Sequence, residues 1–152
     1  MPYKQTIPKA KEQKTPYSEN KKTPYVEDKE KANKIRNDLA YYSGTENYYK
    51  VSPFGNLKAS DGIHHLQEST ESYWLTDIVA SVQHTPKIKA NSEFIVWKIE
   101  KYSDDSFKVT AWSDTPYKSK KLYEQEGGYT DFPLNDYEFY QEGDVLLLKG
   151  EH

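Results

Sequence analysis

Apolar residues recur at three- and four-residue intervals in the first half of this chain and at alternate positions in much of the second. Ala32, Ile35, Leu39 and Tyr42 share one face at helical spacing. Asp28 is the expected N-cap of that helix, and Gly44 follows its last turn. Ser-Gly, Ser-Pro and Phe-Gly pairs then break the pattern through Asn56. Ser60 or Asp61 can cap a short helix that buries Ile63 and Leu66. Trp74, Leu75, Ile78, Val79 and Val82 form one stripe and predict a helix over 70–84. Glu71 falls in its first turn, where the helix dipole favours a carboxylate, and Pro86 ends it.

After Pro86 the period changes to two. Ile95, Trp97 and Ile99 alternate within 93–101, and Phe107, Val109 and Ala111 within 106–112. Ser103-Asp104-Asp105 between them is turn material, so the two runs predict an antiparallel hairpin. A third strand around 120–125 stops at Gly127-Gly128. Glu138–Tyr140 and Val145–Leu148, joined through Gln141-Glu142-Gly143-Asp144, predict a second hairpin. Helices first and strands second predict an α+β domain: N-terminal helices on one face of an antiparallel sheet of about 4–5 strands. Trp74, Trp97, Phe94 and Phe107 fall on apolar faces and are expected in its core.

The first 27 residues have no such periodicity. They are mostly Lys, Pro, Thr and Glu with isolated Tyr, and prolines at 2, 8, 16 and 24 disfavour helix. A repeat, Lys14-Thr15-Pro16-Tyr17 and Lys22-Thr23-Pro24-Tyr25, recurs after eight residues, and a third Thr-Pro-Tyr stands at 115–117. The division expected is a flexible arm over 1–27 and a single domain over 28–152. Only 35% of the 152 residues are hydrophobic, yet 14 Tyr, 5 Phe and 3 Trp are too many aromatics for a chain disordered throughout. Charge sharpens the division. Residues 1–36 carry ten Lys or Arg against five Asp or Glu, a net of +5; residues 37–152 carry eleven against nineteen, a net of −8.

The absence of cysteine excludes disulfides, thiol nucleophiles and Cys-ligated metals. No apolar run approaches the roughly 18 residues of a membrane span, and no apolar stretch follows the lysine-rich start as in a signal peptide. A cytoplasmic protein with no membrane contact is the expectation.

A set of short segments also resembles a known family. They are Ser43-Gly44-Thr45-Glu46 with Tyr48-Tyr49, Ser60-Asp61-Gly62-Ile63, Tyr73-Trp74-Leu75-Thr76-Asp77-Ile78 with Gln83, and Phe94-Ile95-Val96-Trp97-Lys98. Tyr129-Thr130-Asp131-Phe132-Pro133-Leu134 and Val145-Leu146-Leu147-Leu148 complete the set. Over roughly 40–150 the chain resembles an uncharacterised domain family scattered among bacterial, plasmid and phage genomes. The resemblance implies one compact domain and a mobile-element or accessory origin, and it assigns no catalytic residue.

Candidate chemistry is sparse. His64, His65 and His84, with Asp61 and Asp77 as oxygen partners, are the groups available for acid–base work or metal binding. A polar site would centre on Asp61, His64, His65 and Asp77. Adjacent histidines on a helix diverge by about 100°, whereas a helical zinc pair is spaced by four. No Walker loop, dinucleotide fingerprint, nucleophile elbow or calcium-loop pattern occurs. Neither cofactor nor metal is expected, and the protein reads as non-enzymatic. Tyr41, Tyr42, Tyr48 and Tyr49 crowd the stretch after the first helix, while Tyr137, Glu138, Tyr140 and Glu142 lie along the last hairpin. Tyrosine gives amphipathic contact area at low entropy, so these eight residues are the candidate interaction surface. The leading expectation is a small acidic module that binds a protein partner, such as a host nucleic-acid-handling or defence enzyme inhibited through its basic surface. The alternatives are a nucleic-acid accessory making weak phosphate contacts through the basic arm, and a small-ligand or hydrolytic enzyme at His64, His65 and Asp77.

Overall fold

Asp28 starts the first helix by accepting the Lys31 amide at 3.2 Å on its side chain, leaving α1 (Lys29–Leu39) to bury Ala32, Ile35 and Leu39. The computed structural model describes residues 22–113 and 120–152. Residues 1–21, most of the expected arm, and the Thr-Pro-Tyr at 115–117 lie outside the described residues. After α1 come β1 (Tyr49–Lys50), β2 (Lys58–Ala59), α2 (Asp61–Thr70), α3 (Tyr73–Ser81) and α4 (Pro86–Ala90). The strands β3 (Ile95–Lys101), β4 (Phe107–Ser113), β5 (Lys121–Gly127), β6 (Asp136–Glu142) and β7 (Val145–Leu147) follow, and a 3-10 turn covers Lys149–Glu151.

The architecture is α+β, but the sheet is larger than expected and mixed. Its seven strands among the described residues run β1-β2-β7-β6-β3-β4-β5. Both hairpins form, around Asp105 at φ 67° and Gly143 at φ 62°, but Gln141 and Glu142, expected in the second connection, belong to β6 and pair with Leu146 and Val145. The sheet is not wholly antiparallel, because β2 joins β7 in parallel through Lys58↔Val145 and Ala59↔Leu146. One face carries Ile95, Trp97, Ile99, Val109, Ala111 and Phe139. These side chains share one core with Ile63, Leu66, Leu75, Val79 and Ile88 from the helices.

The helix expected over 70–84 is shorter. The Thr70 hydroxyl bonds back to the Leu66 carbonyl and to Ser72 Oγ, both at 2.6 Å, and Glu71 closes α2 in the left-handed region at φ 52°. Glu71 therefore ends one helix instead of opening the next. Pro86 does not simply stop a helix either; it opens α4, at a position where the missing N–H costs nothing. Leu75 and Val79 are fully buried, whereas Trp74 and Ile78 are half-buried at the margin, Trp74 leaning on Phe107 with ring centroids 5.0 Å apart. Phe94 is likewise marginal and packs against Tyr140 and His152.

Two polar arrangements tie the fold together. Inside the core, Gln141 Oε1 accepts from Trp97 Nε1 at 2.9 Å and from Gln83 Nε2 at 3.0 Å. Gln141 Nε2 in turn donates to Gln83 Oε1 and to the Gly143 carbonyl, both at 2.8 Å, so the amide is satisfied although fully buried. At the start of α2, Ser60 caps the Ile63 amide, and the Glu151 carboxylate joins it. Glu151 accepts from Ser60 Oγ at 2.6 Å, the Gly62 amide at 2.9 Å and the Leu148 amide at 2.8 Å. A Cβ on Gly62 would lie 2.6 Å from both Glu151 Oε1 and Leu148 Cδ1, so this approach requires glycine.

The arm does not end where the sequence suggests. Residues 22–27 already lie on the domain: Tyr25 N–H donates to the Lys101 carbonyl at 3.0 Å, and Ser103 N–H to the Thr23 carbonyl at 2.8 Å. The expected boundary at 27/28 thus falls inside a packed stretch. Glu27 anchors it, accepting from Arg36 at 2.8 Å and from the Asn135 amide at 2.7 Å. Partial burial raises the Glu27 pKa, but the Arg36 and Asn135 hydrogen bonds and the guanidinium charge outweigh it, holding the carboxyl below its ordinary 4.5. A depressed carboxylate stabilises the docked arm fully above the unfolded value, and the contribution is lost as pH falls through the folded value. The Asn135 amide proton should therefore titrate by NMR with a midpoint below 4.5. A midpoint at or above that value would show that Glu27 is not held by these donors.

Candidate functional site

Asp61 opens α2, and its carboxylate organises the loop that precedes it. Oδ2 accepts the Glu46 and Asn47 amides at 2.9 and 3.4 Å, while Oδ1 accepts Asn47 Nδ2 at 3.3 Å and the Tyr49 phenol at 3.1 Å. Thr45 Oγ1 completes the clasp, accepting the Asp61 amide at 2.8 Å and donating to the Asn47 carbonyl at 2.6 Å. The Glu46 amide first, then Asn47 and Tyr49, hold the Asp61 carboxyl below its usual range against some desolvation. Lost solvation and the carboxylate neighbour push the Tyr49 phenol up.

The two adjacent histidines diverge. His64 stacks flat on Tyr49, with centroids 3.9 Å apart and planes 7° apart, and its Nε2 lies 3.6 Å from the Glu68 carboxylate. His65 turns to Tyr42 at 5.5 Å, and its buried Nε2 has no hydrogen-bond partner among the described residues. Asp77 is exposed on α3, and no hydrogen bond or ion pair joins it to either ring among the described residues. The structure brings Asp61 to the hydroxyl of Tyr49 and His64 to its ring, and no hydrogen bond or ion pair among the described residues links Asp77 with His65. Among the described residues no group of three or more His, Asp or Glu is arranged to hold a metal ion. No helix there is long and apolar enough to cross a membrane.

The tyrosines divide by burial. Tyr42 and Tyr49 are half-buried against the core, whereas Tyr41 and Tyr48 are 84% and 56% exposed. Phe54, also 84% exposed, projects from the same loop at a tight turn. There Gly55 has φ 83°, and Ser52 Oγ accepts the Phe54 amide at 3.1 Å. Phe54 is not one of the eight candidate surface residues. Pro53-Phe54-Gly55 is its signal, since an aromatic ring between two turn formers has little chance of reaching a core.

The residues expected on the last hairpin fall on both faces of β6, as strand alternation requires. Glu138, Tyr140 and Glu142 share the solvent face, where Glu138 pairs with Lys149 at 2.6 Å and Glu142 with His152 at 2.7 Å. Tyr140 stands edge-on to His152 and tilts against Phe94. Tyr137 lies on the other face, where burial first and Glu151 second push its phenol up to about 12. It lines a cleft of about 380 Å³ with Arg36, Leu39, Asp136, Glu138 and Lys149.

No curated protein and no solved structure matches this chain. A family model described as a family of unknown function, DUF6876, matches residues 33–152, which span α1 from its second turn, all seven strands and the Glu151 cap. The chain belongs to the DUF6876 family.

Proposed function

We propose that this domain is a non-enzymatic protein-binding module that meets its partner through the loop over residues 40–57. The observation that carries the reading is that Tyr41, Tyr48 and Phe54 are held out in water by a loop that is itself hydrogen-bonded into place. A single exposed ring is ordinary, but three within fourteen residues, beside a stretch that the Asp61 clasp holds in place, offer apolar contact area that is in part pre-organised. Pre-organisation lowers the ordering cost of association. The polar candidates are consistent with this reading. Asp61 spends its acceptor capacity on the loop, and His64 and His65 are stacked and packed side chains. The net −8 of residues 37–152 favours a basic partner surface, such as the nucleic-acid-binding face of a host or defence enzyme, and speeds encounter with it. The second reading is phosphate contact by the basic arm, to which Lys22, engaged by Ser106 and Asp104, would contribute little.

The triple variant Tyr41→Ala/Tyr48→Ala/Phe54→Ala tests the proposal. Exposed positions of this kind shift stability by about 0.5 kcal/mol or less each, so the melting curve should barely move. Used as bait in the native host, the wild type should retain a partner that the variant loses, identified by mass spectrometry. Indistinguishable retained proteins from a folded variant would remove this loop as the binding surface.

A further inference from the structure

The second copy of the arm repeat is bound to the domain at every position except one. Lys22 Nζ donates to Ser106 Oγ at 2.7 Å and lies 3.3 Å from the Asp104 carboxylate. Thr23 and Tyr25 supply the two backbone hydrogen bonds that flank the antiparallel pairing of Pro24 with Tyr102. Pro24 thereby occupies the position where no N–H is needed, which a β-pairing segment otherwise tolerates poorly. The Tyr25 ring lies 3.8 Å from Lys101 Nζ, an ammonium only 4% exposed, whose remaining partners are the Phe132 carbonyl at 2.9 Å and Asp105 at 3.5 Å. A ring over a desolvated cation is a favourable contact. Val26 projects into solvent at 82% exposure, and Glu27 pairs with Arg36 and the Asn135 amide.

Residues 14–19 read Lys-Thr-Pro-Tyr-Ser-Glu and residues 22–27 Lys-Thr-Pro-Tyr-Val-Glu. The five identical positions are those that touch the domain, and the one that differs is the one that does not. Identity confined to contact positions is the pattern expected of two ligands for one site. We infer that the β3–β4 turn and Arg36 form a recognition site for an extended Lys-Thr-Pro-Tyr-x-Glu segment, for which residues 14–19 compete with residues 22–27. When 14–19 is bound, residues 20–27 close a loop of eight. The three-halves power dependence of loop closure then favours 22–27 by about twentyfold. The site is therefore held by the second copy and passes to the first when the second is weakened. A nearby modification or partner contact on 22–27 would thus exchange one bound segment for the other without leaving Lys101 uncovered.

Amide hydrogen exchange on the full chain tests this, because Ser103 N–H reports occupancy of the site by either copy. In Lys22→Ala/Tyr25→Ala, Ser103 should lose no more than about twentyfold of its protection. The Tyr17 amide, taking the place of Tyr25, should gain protection, while the β3–β4 ladder amides stay unchanged. Adding Tyr17→Ala should abolish protection at both Ser103 and position 17. The inference is overturned if the first variant exposes Ser103 fully with Tyr17 unprotected. It is also overturned if Ser103 stays protected after Tyr17 is removed, since backbone adhesion then needs no motif. Protection at Tyr17 that rises with protein concentration would assign the segment to another chain and overturn the exchange within one.

Discussion

Trp97→Ala should destabilise the domain by about 3–5 kcal/mol, the range for deleting a large buried aromatic ring. The indole is fully buried in the central strand, with β4 on one side and β6 on the other, so the sheet and helices cannot close over the void without moving. The substitution also removes the Nε1 donor that Gln141 accepts inside the core. Trp97→Phe should cost less, about 1–2 kcal/mol, because Gln141 keeps its reciprocal bonds with Gln83 and its bond to the Gly143 carbonyl. Urea unfolding of the three proteins measures both losses. If Trp97→Ala unfolds within about 1 kcal/mol of wild type, the ring is not the centre of the core.

The second large effect is at Glu151. Glu151→Ala should cost about 2–4 kcal/mol, because hydrogen bonds to a charged acceptor are strong and their donors are left poorly solvated. Ser60 Oγ, the Gly62 amide and the Leu148 amide all lose their acceptor together. The first turn of α2 loses a carboxylate where the helix dipole favours one. Glu151→Gln keeps an acceptor oxygen without the charge and should fall between wild type and Glu151→Ala. Denaturant midpoints give the order, and exchange at Gly62 and Ile63 locates the damage. An unchanged midpoint for Glu151→Ala would mean that the 3-10 turn does not secure α2.

How far the sequence speaks depends on how local the cause is. Alternation in 95–101 and 107–113 reports each residue's own face, so the central hairpin, its turn and the buried Trp97 are legible. The Ser60 cap is legible because its acceptor acts three residues on. Two-residue strands such as β1 and β2 have no period to detect, and the parallel partner of β2 lies some ninety residues away. The apolar stripe from Trp74 to Val82 is real, but the break before it depends on the Thr70 and Ser72 hydroxyls and on a left-handed Glu71, none of which alters hydrophobic spacing. The candidate site divides in the same manner. Aromatic crowding after α1 is visible in the residues, whereas the Asp61 clasp that separates exposed Tyr48 from half-buried Tyr49 is made across twelve to sixteen positions. Docking of residues 22–27 needs Lys101 and Asn135 as receivers, so a segment without its own periodicity still becomes ordered.

The β2–β7 pairing and the Glu151 cap also govern how the chain reaches this state. Hydrogen bonds at separations of 89 and 91 residues complete the start of α2 with residues made much later. Such distant closures slow folding relative to helical bundles of the same size. A nascent chain that has not yet produced residues 145–151 carries β2 as an open edge and α2 with only Ser60 for a cap. The interval before those residues arrive is when this protein is most exposed to mispairing and to proteases. The apolar faces of β3 and β6 meanwhile wait for Leu146 and Leu148. The helices at the start of the domain are therefore secured only once residues 145–151 have been made.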